Sequence, residues 1–343
     1  MIRKLARIVR IDDVVPITGA DAIDAAKVGG WTVVIKKNEF AAGDLAVYFE
    51  IDSFLPQGNP AWQFLVDKSC RVFNGAKGHV LRSIKLRGQV SQGLLLGVDI
   101  LGDAGAPGDD VSEALGVVKY EAPVPAELSG IARGMFPSQV SKTDQERVQN
   151  LADELPEWSK DTQLSWEVTE KLEGSSCTFA WLEQDLHVCS RNVDLMDTPG
   201  NSLWRLAKEL DILTKFSQYC ATRNLALQGE IVGFGVQGNI YGLRAQKFYL
   251  FDIYDADQKR YLHPSERQAI AVQMGLDQVP VMDAAFRLPT GAASEAMDAL
   301  LALADGASLL KAAQLREGLV FKANEKPVSF KVVSNKYLLK QGA

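Results

Sequence analysis

Residues 166–176 read Trp166-Glu167-Val168-Thr169-Glu170-Lys171-Leu172-Glu173-Gly174-Ser175-Ser176, and the fold of the second half of the chain turns on them. Trp166–Thr169 has strand composition, and a lysine, an acid and a glycine follow at once. A Lys-x-acid-Gly tetrad alone is weak, since a chain this long holds one by chance about 0.2 times. Its weight comes from an ordered series downstream, each member in or beside a predicted strand. The series is Ser190-Arg191-Asn192, Gln228-Gly229-Glu230, Phe248-Tyr249-Leu250-Phe251-Asp252-Ile253, Arg316-Glu317-Gly318-Leu319-Val320-Phe321-Lys322 and Ser329-Phe330-Lys331-Val332-Val333-Ser334-Asn335-Lys336.

Around these motifs, strands are predicted at Cys177–Leu182, His187–Ser190, Leu225–Ile231, Phe248–Tyr254, Gly318–Ala323 and Val328–Val333. Helical spacing of apolar residues marks Asn201–Arg223, Ser265–Met274 and Ser294–Ala304, with Gly275 and Gly306 as stops. Residues 1–118 are predicted all-β: short runs at Arg7–Val15, Trp31–Ile35, Leu45–Ile51, Val80–Leu86 and Gly93–Val98, plus one short helix over Ala22–Ala26. Five or six short strands in that length suit a small barrel. Glu121–Pro137, with three prolines and two glycines, has linker composition. The expected organisation is therefore a β domain at 1–118, a linker at 119–137 and an α+β domain at 138–343.

Composition excludes several classes. The chain has 343 residues, 47% hydrophobic and 23% charged, with net charge −6. It is neither disordered nor a protein that holds nucleic acid by bulk charge, although a local basic patch remains open. The longest apolar runs, such as Gly93–Val98, are strand-sized, so no membrane partner is expected. Arg3, Lys4, Arg7 and Arg10 interrupt the apolar residues at the N-terminus, so no export signal is expected. Cysteines 70, 177, 189 and 220 form no C-x-x-C pair and the three histidines are scattered, which suits reduced thiols in a cytoplasmic protein. Gly233-Phe-Gly-Val-Gln-Gly238 matches G-x-G-x-x-G, but Asn239-Ile-Tyr-Gly-Leu follows with no helical face, so no helix N-terminus could receive a pyrophosphate.

The ordered series resembles the signature of the covalent nucleotidyltransferases, the superfamily of ATP-dependent DNA and RNA ligases and mRNA capping enzymes. "EKLEGSS" looks like the RNA-ligase version of the nucleophile motif, and "KFYLFDIY" like its adenine-stacking strand. Residues 1–118 look like the OB-type domain that precedes the catalytic domain in the Deinococcus- and Naegleria-type RNA ligases, and "KTDQERVQN" at 142–150 is similar to that family too. The resemblance implies an α+β protein: an N-terminal OB-like β-barrel, then a nucleotidyltransferase (adenylation) domain of antiparallel sheets with flanking helices. Only 12 residues follow Lys331, so no C-terminal OB domain is expected.

Such a ligase moves AMP from ATP to a lysine, then to an RNA 5′-phosphate, and displaces it with a 3′-hydroxyl. Lys171 is the implied nucleophile. A free lysine titrates near ~10.4, leaving on the order of one in 10³ neutral at pH 7, and nearby carboxylates stabilise the ammonium further. A divalent cation seated among them reverses that local charge. Glu173, Glu230 and Glu317 are accordingly read as the shell of Mg2+ or Mn2+, through waters; a solvated loop carboxylate is the plain alternative for each. Carried over by position, Glu170 accepts from the adenine amino group, Phe248 stacks on adenine with Phe251 in the core, and Glu230 also touches the ribose. Arg191 and Asn192 meet the ribose or the RNA terminus, and Lys322 and Lys331 hold the α-phosphate. Leu172 is grouped with the nucleotide pocket, and Arg147 with a phosphate or the pyrophosphate. The family's last motif often has a second lysine two residues away. Here Ser329 and Val333 flank Lys331, so Lys331 serves alone or Lys336 assists at the RNA.

The run Lys68–Arg87 carries six basic residues and no acid. Arg82, Lys85 and Arg87 are the candidate RNA contacts, with Lys85 and Arg87 predicted on one strand face and Arg82 on the other. A solvated sheet face is the alternative. The expected partner is an RNA end or a nicked RNA-containing duplex, bound by a monomer. The rivals are a DNA ligase with its OB domain moved to the front and an inactive RNA-binding relative.

Overall fold

The computed structural model describes residues 3–102, 105–123, 130–220 and 222–341. The chain forms two compact units. One comprises Met1–Ala122, Gln149–Ala152 and Asn335–Ala343, and the other Pro123–Val148 and Asp153–Ser334. The expected division differs here, because the last helix, Asn335–Gln341, groups with the front unit.

Among the described residues the front unit is all-β apart from that helix and short 3₁₀ turns. Leu45–Phe49 is the middle strand of three, between Ala6–Arg10 and Leu94–Gly97. Its side chains alternate, so Ala46 and Tyr48 enter one core with Trp31, Val33 and Ile35, while Val47 and Phe49 enter another with Leu55 and Trp62. The helix expected over Ala22–Ala26 is instead part of the strand Ile23–Val28. Gly29-Gly30, at φ +50 and +82, makes a two-residue turn that pairs Val28 with Trp31, and this hairpin overrides the helical preference of alanine. The expected strand Val80–Leu86 is two strands, Ala76–Val80 and Ser83–Leu86. Arg87 lies past the second one, in the Arg87-Gly88 turn at φ +49, so Lys85 and Arg87 do not share a strand face.

In the second unit, seven antiparallel strands run in the order Ala132–Met135, Val193–Leu195, Asp185–Cys189, Ser175–Leu182, Leu225–Val232, Lys247–Asp255 and Arg260–Tyr261. One face packs under the helices Ser202–Glu209, Ile212–Cys220 and Pro264–Met274, through Phe179, Val188, Leu227, Leu250, Phe216 and Ile270. The helix expected over Asn201–Arg223 breaks at Asp211, which sits at φ +51. The stretch expected as a linker contributes the edge strand Ala132–Met135, paired with Val193–Leu195 through a register shift near Gly134. Part of that stretch, 124–129, lies outside the described residues.

A second sheet orders Glu146–Arg147, Ser329–Val333, Gly318–Ala323, Trp166–Lys171 and Val281–Phe286. Its first pair is parallel and the rest antiparallel. On one face Phe330 stacks on Trp158 and on Phe321, with Trp166 tilted against Trp158 and Phe330. The other face is where the charged residues gather.

Candidate active site

Strand register decides which side chains share the charged face. Lys171 is opposite Gly318, Glu167 opposite Lys322, and Thr169 opposite Val320, which is itself opposite Lys331. Directly paired residues point the same way, so Lys171, Lys322, Lys331 and Glu167 lie on one face. Arg147 pairs with Lys331 on the next strand. The structure thus collects Lys171, Lys322, Lys331 and Arg147 from four strands.

Gly174 lets the Trp166–Lys171 strand leave this sheet and enter the next. A Cβ there would meet the Ile231 carbonyl oxygen at 2.2 Å and the Glu230 side chain at 2.9 Å. Only glycine permits that approach, and it brings Glu230 to the lysine. Lys171 Nζ lies 2.6 Å from Glu317 Oε1, both partly exposed. Burial pushes the Glu230 carboxyl up to about 7; Lys171 and Arg191 oppose that shift and Glu317 reinforces it. Burial likewise lowers Lys322 and Lys331 below the ordinary lysine range, against the pull of Asp252 and Asp144 respectively.

Tyr241, which the sequence did not single out, sits among the acids. Its hydroxyl accepts from the Glu173 backbone N–H at 2.9 Å. Burial raises its pKa, and the charges of Glu170, Glu317 and Glu173 add to the effect. Leu172 is buried beside it with Val232 and Tyr249. Glu173, Glu230 and Glu317 therefore border one small region, yet among the described residues no group of three or more His, Cys, Asp or Glu is spaced to hold a metal directly. Their hard oxygen donors suit a cation that keeps most of its waters.

Alternation turns Glu170 away from Lys171. It is 1% exposed, its Oε2 accepts from Leu309 N–H at 2.6 Å, and its Oε1 has no hydrogen-bond partner. Burial raises its pKa. A buried acceptor with an unused oxygen fits an incoming N–H donor such as an exocyclic amine.

The aromatic assignment is corrected. Phe248 is opposite Ile231 and is buried in the helix-covered core, its ring 4.9 Å from Phe179. Tyr249, not Phe248, is opposite Glu230, and a bulge between Gln228 and Gly229 leaves Phe251 as the extra residue. Phe251 packs with Leu172, Tyr241 and Tyr249, and Lys322 Nζ lies 5.8 Å from its ring centroid. Phe251, not Phe248, therefore presents its ring at this site.

Asp144, also missed, links two expected residues: Lys331 Nζ is 3.3 Å and Arg191 Nη2 3.8 Å from its carboxylate. Asn192 Oδ1 accepts from Lys142 Nζ at 2.9 Å. Behind the site, Lys322 Nζ is 2.8 Å from Asp252 and also donates to the Phe251 carbonyl. Arg267, 1% exposed, donates to the same carbonyl at 3.2 Å and to both oxygens of Glu167 at 2.7 and 2.9 Å.

Lys336 lies on the last helix, which groups with the front unit, whereas Lys331 belongs to the second unit. Arg82, Lys85 and Arg87 are exposed in the front unit, with Lys85 Nζ 3.1 Å from the Leu339 carbonyl at the end of that helix. Gly233–Gly238 forms a loop between strands, with Gly233 at φ +117, and opens no helix.

Comparison with known proteins is direct. A family model described as an OB-fold domain matches residues 5–98, and one described as RNA ligase matches residues 164–337. Solved structures of the Naegleria gruberi RNA ligase are similar over nearly the full length. A lysine-to-methionine variant with AMP and Mn is 44% identical, covering 98% of this chain and 99% of that one, with TM-score 0.83. A lysine-to-alanine variant with ATP and Mn is likewise 44% identical at the same coverage, with TM-score 0.82. A structure with PPi is 44% identical over 99% of both chains, with TM-score 0.81. No curated protein matches the chain.

Proposed function

The chain belongs to the RNA ligase family, and from that premise we propose that Lys171 is the residue through which it joins RNA ends. The architecture is the expected α+β one, an OB-fold domain followed by a ligase domain, and the activity is ATP-dependent RNA ligation. One observation carries the assignment to Lys171. Its Nζ lies 2.6 Å from Glu317, near the buried Glu230, on the sheet face that also bears Lys322 and Lys331.

The roles follow from that geometry. Neutral Lys171 Nζ attacks the α-phosphorus of ATP; an N–P bond forms and pyrophosphate leaves. Lys331 and Lys322 neutralise the charge that grows on the phosphate oxygens, in a setting where burial strengthens the interaction. Glu170 Oε1 accepts from the adenine amino group, which GTP replaces with a carbonyl, and Phe251 covers the base. Glu173, Glu230 and Glu317 would hold a divalent cation, Mg2+ or Mn2+, which when bound would supply positive charge that favours the neutral amine over its ion pair. AMP then passes to the RNA 5′-phosphate, and a 3′-hydroxyl displaces it to close the phosphodiester.

The finer substrate is a nicked RNA-containing duplex, sealed by a single copy of the chain. The exposed basic residues Arg82 and Arg87 support it as contacts to duplex phosphates. The cytoplasm is the proposed compartment, supported by four free cysteines. The test is incubation with labelled ATP or GTP and Mg2+ or Mn2+, followed by denaturing electrophoresis. An acid-labile protein adduct from ATP alone, with RNA nicks sealed in the same reaction, is expected. Equal labelling by GTP, or sealing only of DNA, overturns the reading.

A further inference from the structure

Two short segments of the ligase domain are laced together beside the site by reciprocal side-chain contacts. From the first, Lys142 Nζ donates to Asn192 Oδ1 at 2.9 Å. From the second, Arg191 Nη2 reaches back to Asp144 at 3.8 Å. Phe136 joins them, its backbone N–H donating to the Asn192 carbonyl at 3.0 Å and its ring lying 5.8 Å below Lys142 Nζ. Asp144 in turn holds Lys331, the α-phosphate lysine of the reading above, at 3.3 Å.

The cations along this seam differ in exposure. Side-chain exposure is 23% for Lys331 and 68% for Arg191, and Lys142 is exposed as well. Lys331 and Arg191 share the Asp144 carboxylate, and Lys142 contacts Asn192 instead. Lys142 in particular donates to a neutral amide, so this contact fixes its ammonium in place and leaves its charge unneutralised. A fixed, exposed cation next to a site that must receive a second, phosphate-bearing substrate is suited to that substrate's backbone.

We propose that Lys142, fixed by Asn192 and Phe136, binds a backbone phosphate of the RNA strand that carries the reacting 5′-phosphate, and so positions that end for AMP transfer. The inference rests on the ligase reading, since it takes its substrate from it. Lys142 plays no part in forming the lysine adduct, because that step involves no RNA.

The test uses the full-length protein with Lys142→Ala and Lys142→Arg. Adduct formation with labelled ATP should stay within about twofold of the parent for both, which also shows that the variants fold. Sealing of a pre-adenylated RNA nick by Lys142→Ala should show a KM for RNA raised about tenfold with kcat little changed. RNA affinity should depend less steeply on salt, with the slope falling by roughly 0.9 for one lost phosphate contact. Lys142→Arg should restore most of both. Unchanged RNA KM and salt slope overturn the proposal, as does an equal loss of ATP labelling, which assigns Lys142 to the nucleotide or to the scaffold. Failure of the parent protein to label with ATP overturns the ligase reading itself and is scored separately.

Discussion

The front and rear units bury charge to different extents. In the OB-fold domain the basic residues Arg82, Lys85 and Arg87 are exposed, and among the described residues the buried carboxylates are Asp24 and Glu50, the latter paired with Arg3. In the ligase domain charge is taken inside: Glu167, Glu170, Asp252, Arg267 and Lys322 are all buried. Exposed charge costs little to keep and little to lose. Buried charge is tolerated only with partners, so each buried group constrains its neighbours. The difference separates a surface that can contact a polyanion from an interior that holds specific atoms in place.

Breaking the interior charge should therefore have the largest effect. Arg267→Met leaves Glu167 buried without its bidentate partner and should cost about 3–5 kcal/mol. Adding Glu167→Gln to it should recover a large part of that cost. Denaturant unfolding of the single and double variants checks this, and a single variant as stable as the parent would remove the clamp from the account.

Glu230 gives a smaller, pH-dependent effect in metal-free protein. Its folded pKa of about 7 lies above the ordinary carboxylate value, so between these two the folded state binds more protons than the unfolded. Stability should fall as pH rises through that window and level off above it. Glu230→Gln removes the titration, so the variant should gain on the parent at pH 8, by at most about 3 kcal/mol, and show no such gain at pH 4. Melting curves at the two pH values decide it, and an equal difference at both contradicts the burial argument.

The surface of the front unit should yield the least. Arg82→Ala with Arg87→Ala should leave the melting temperature unchanged and lower the salt slope of duplex binding by roughly 0.9 per lost contact. Lys85 is left in place, because it also donates to the Leu339 carbonyl at the end of the last helix. No change in slope would return this hairpin to a solvated face.

The same contrast explains what the sequence could tell. In the ligase domain Lys171, Glu317, Lys322 and Lys331 were legible together because the ordered motifs that carry them resemble those of the covalent nucleotidyltransferases. Phe248 and Phe251 were exchanged, because the bulge at Gly229 depends on the partner strand and leaves no local mark. Asp144 and Tyr241 were missed because each reaches the site from a segment without regular strand pattern. In the front unit, alanines at 25 and 26 signalled a helix that the Gly29-Gly30 turn overrode. Val281–Phe286 escaped notice as a mostly exposed edge strand.

The central claim is that a single amine, Lys171, carries AMP. Peptide mapping of the protein after reaction with ATP and Mn2+ tests it most directly, paired with Lys171→Ala. The account predicts AMP on the peptide that contains Lys171 and nowhere else. It also predicts no adduct on Lys171→Ala, which should still seal an RNA end that is already adenylated. AMP on another lysine, or an adduct that persists in the variant, would contradict it.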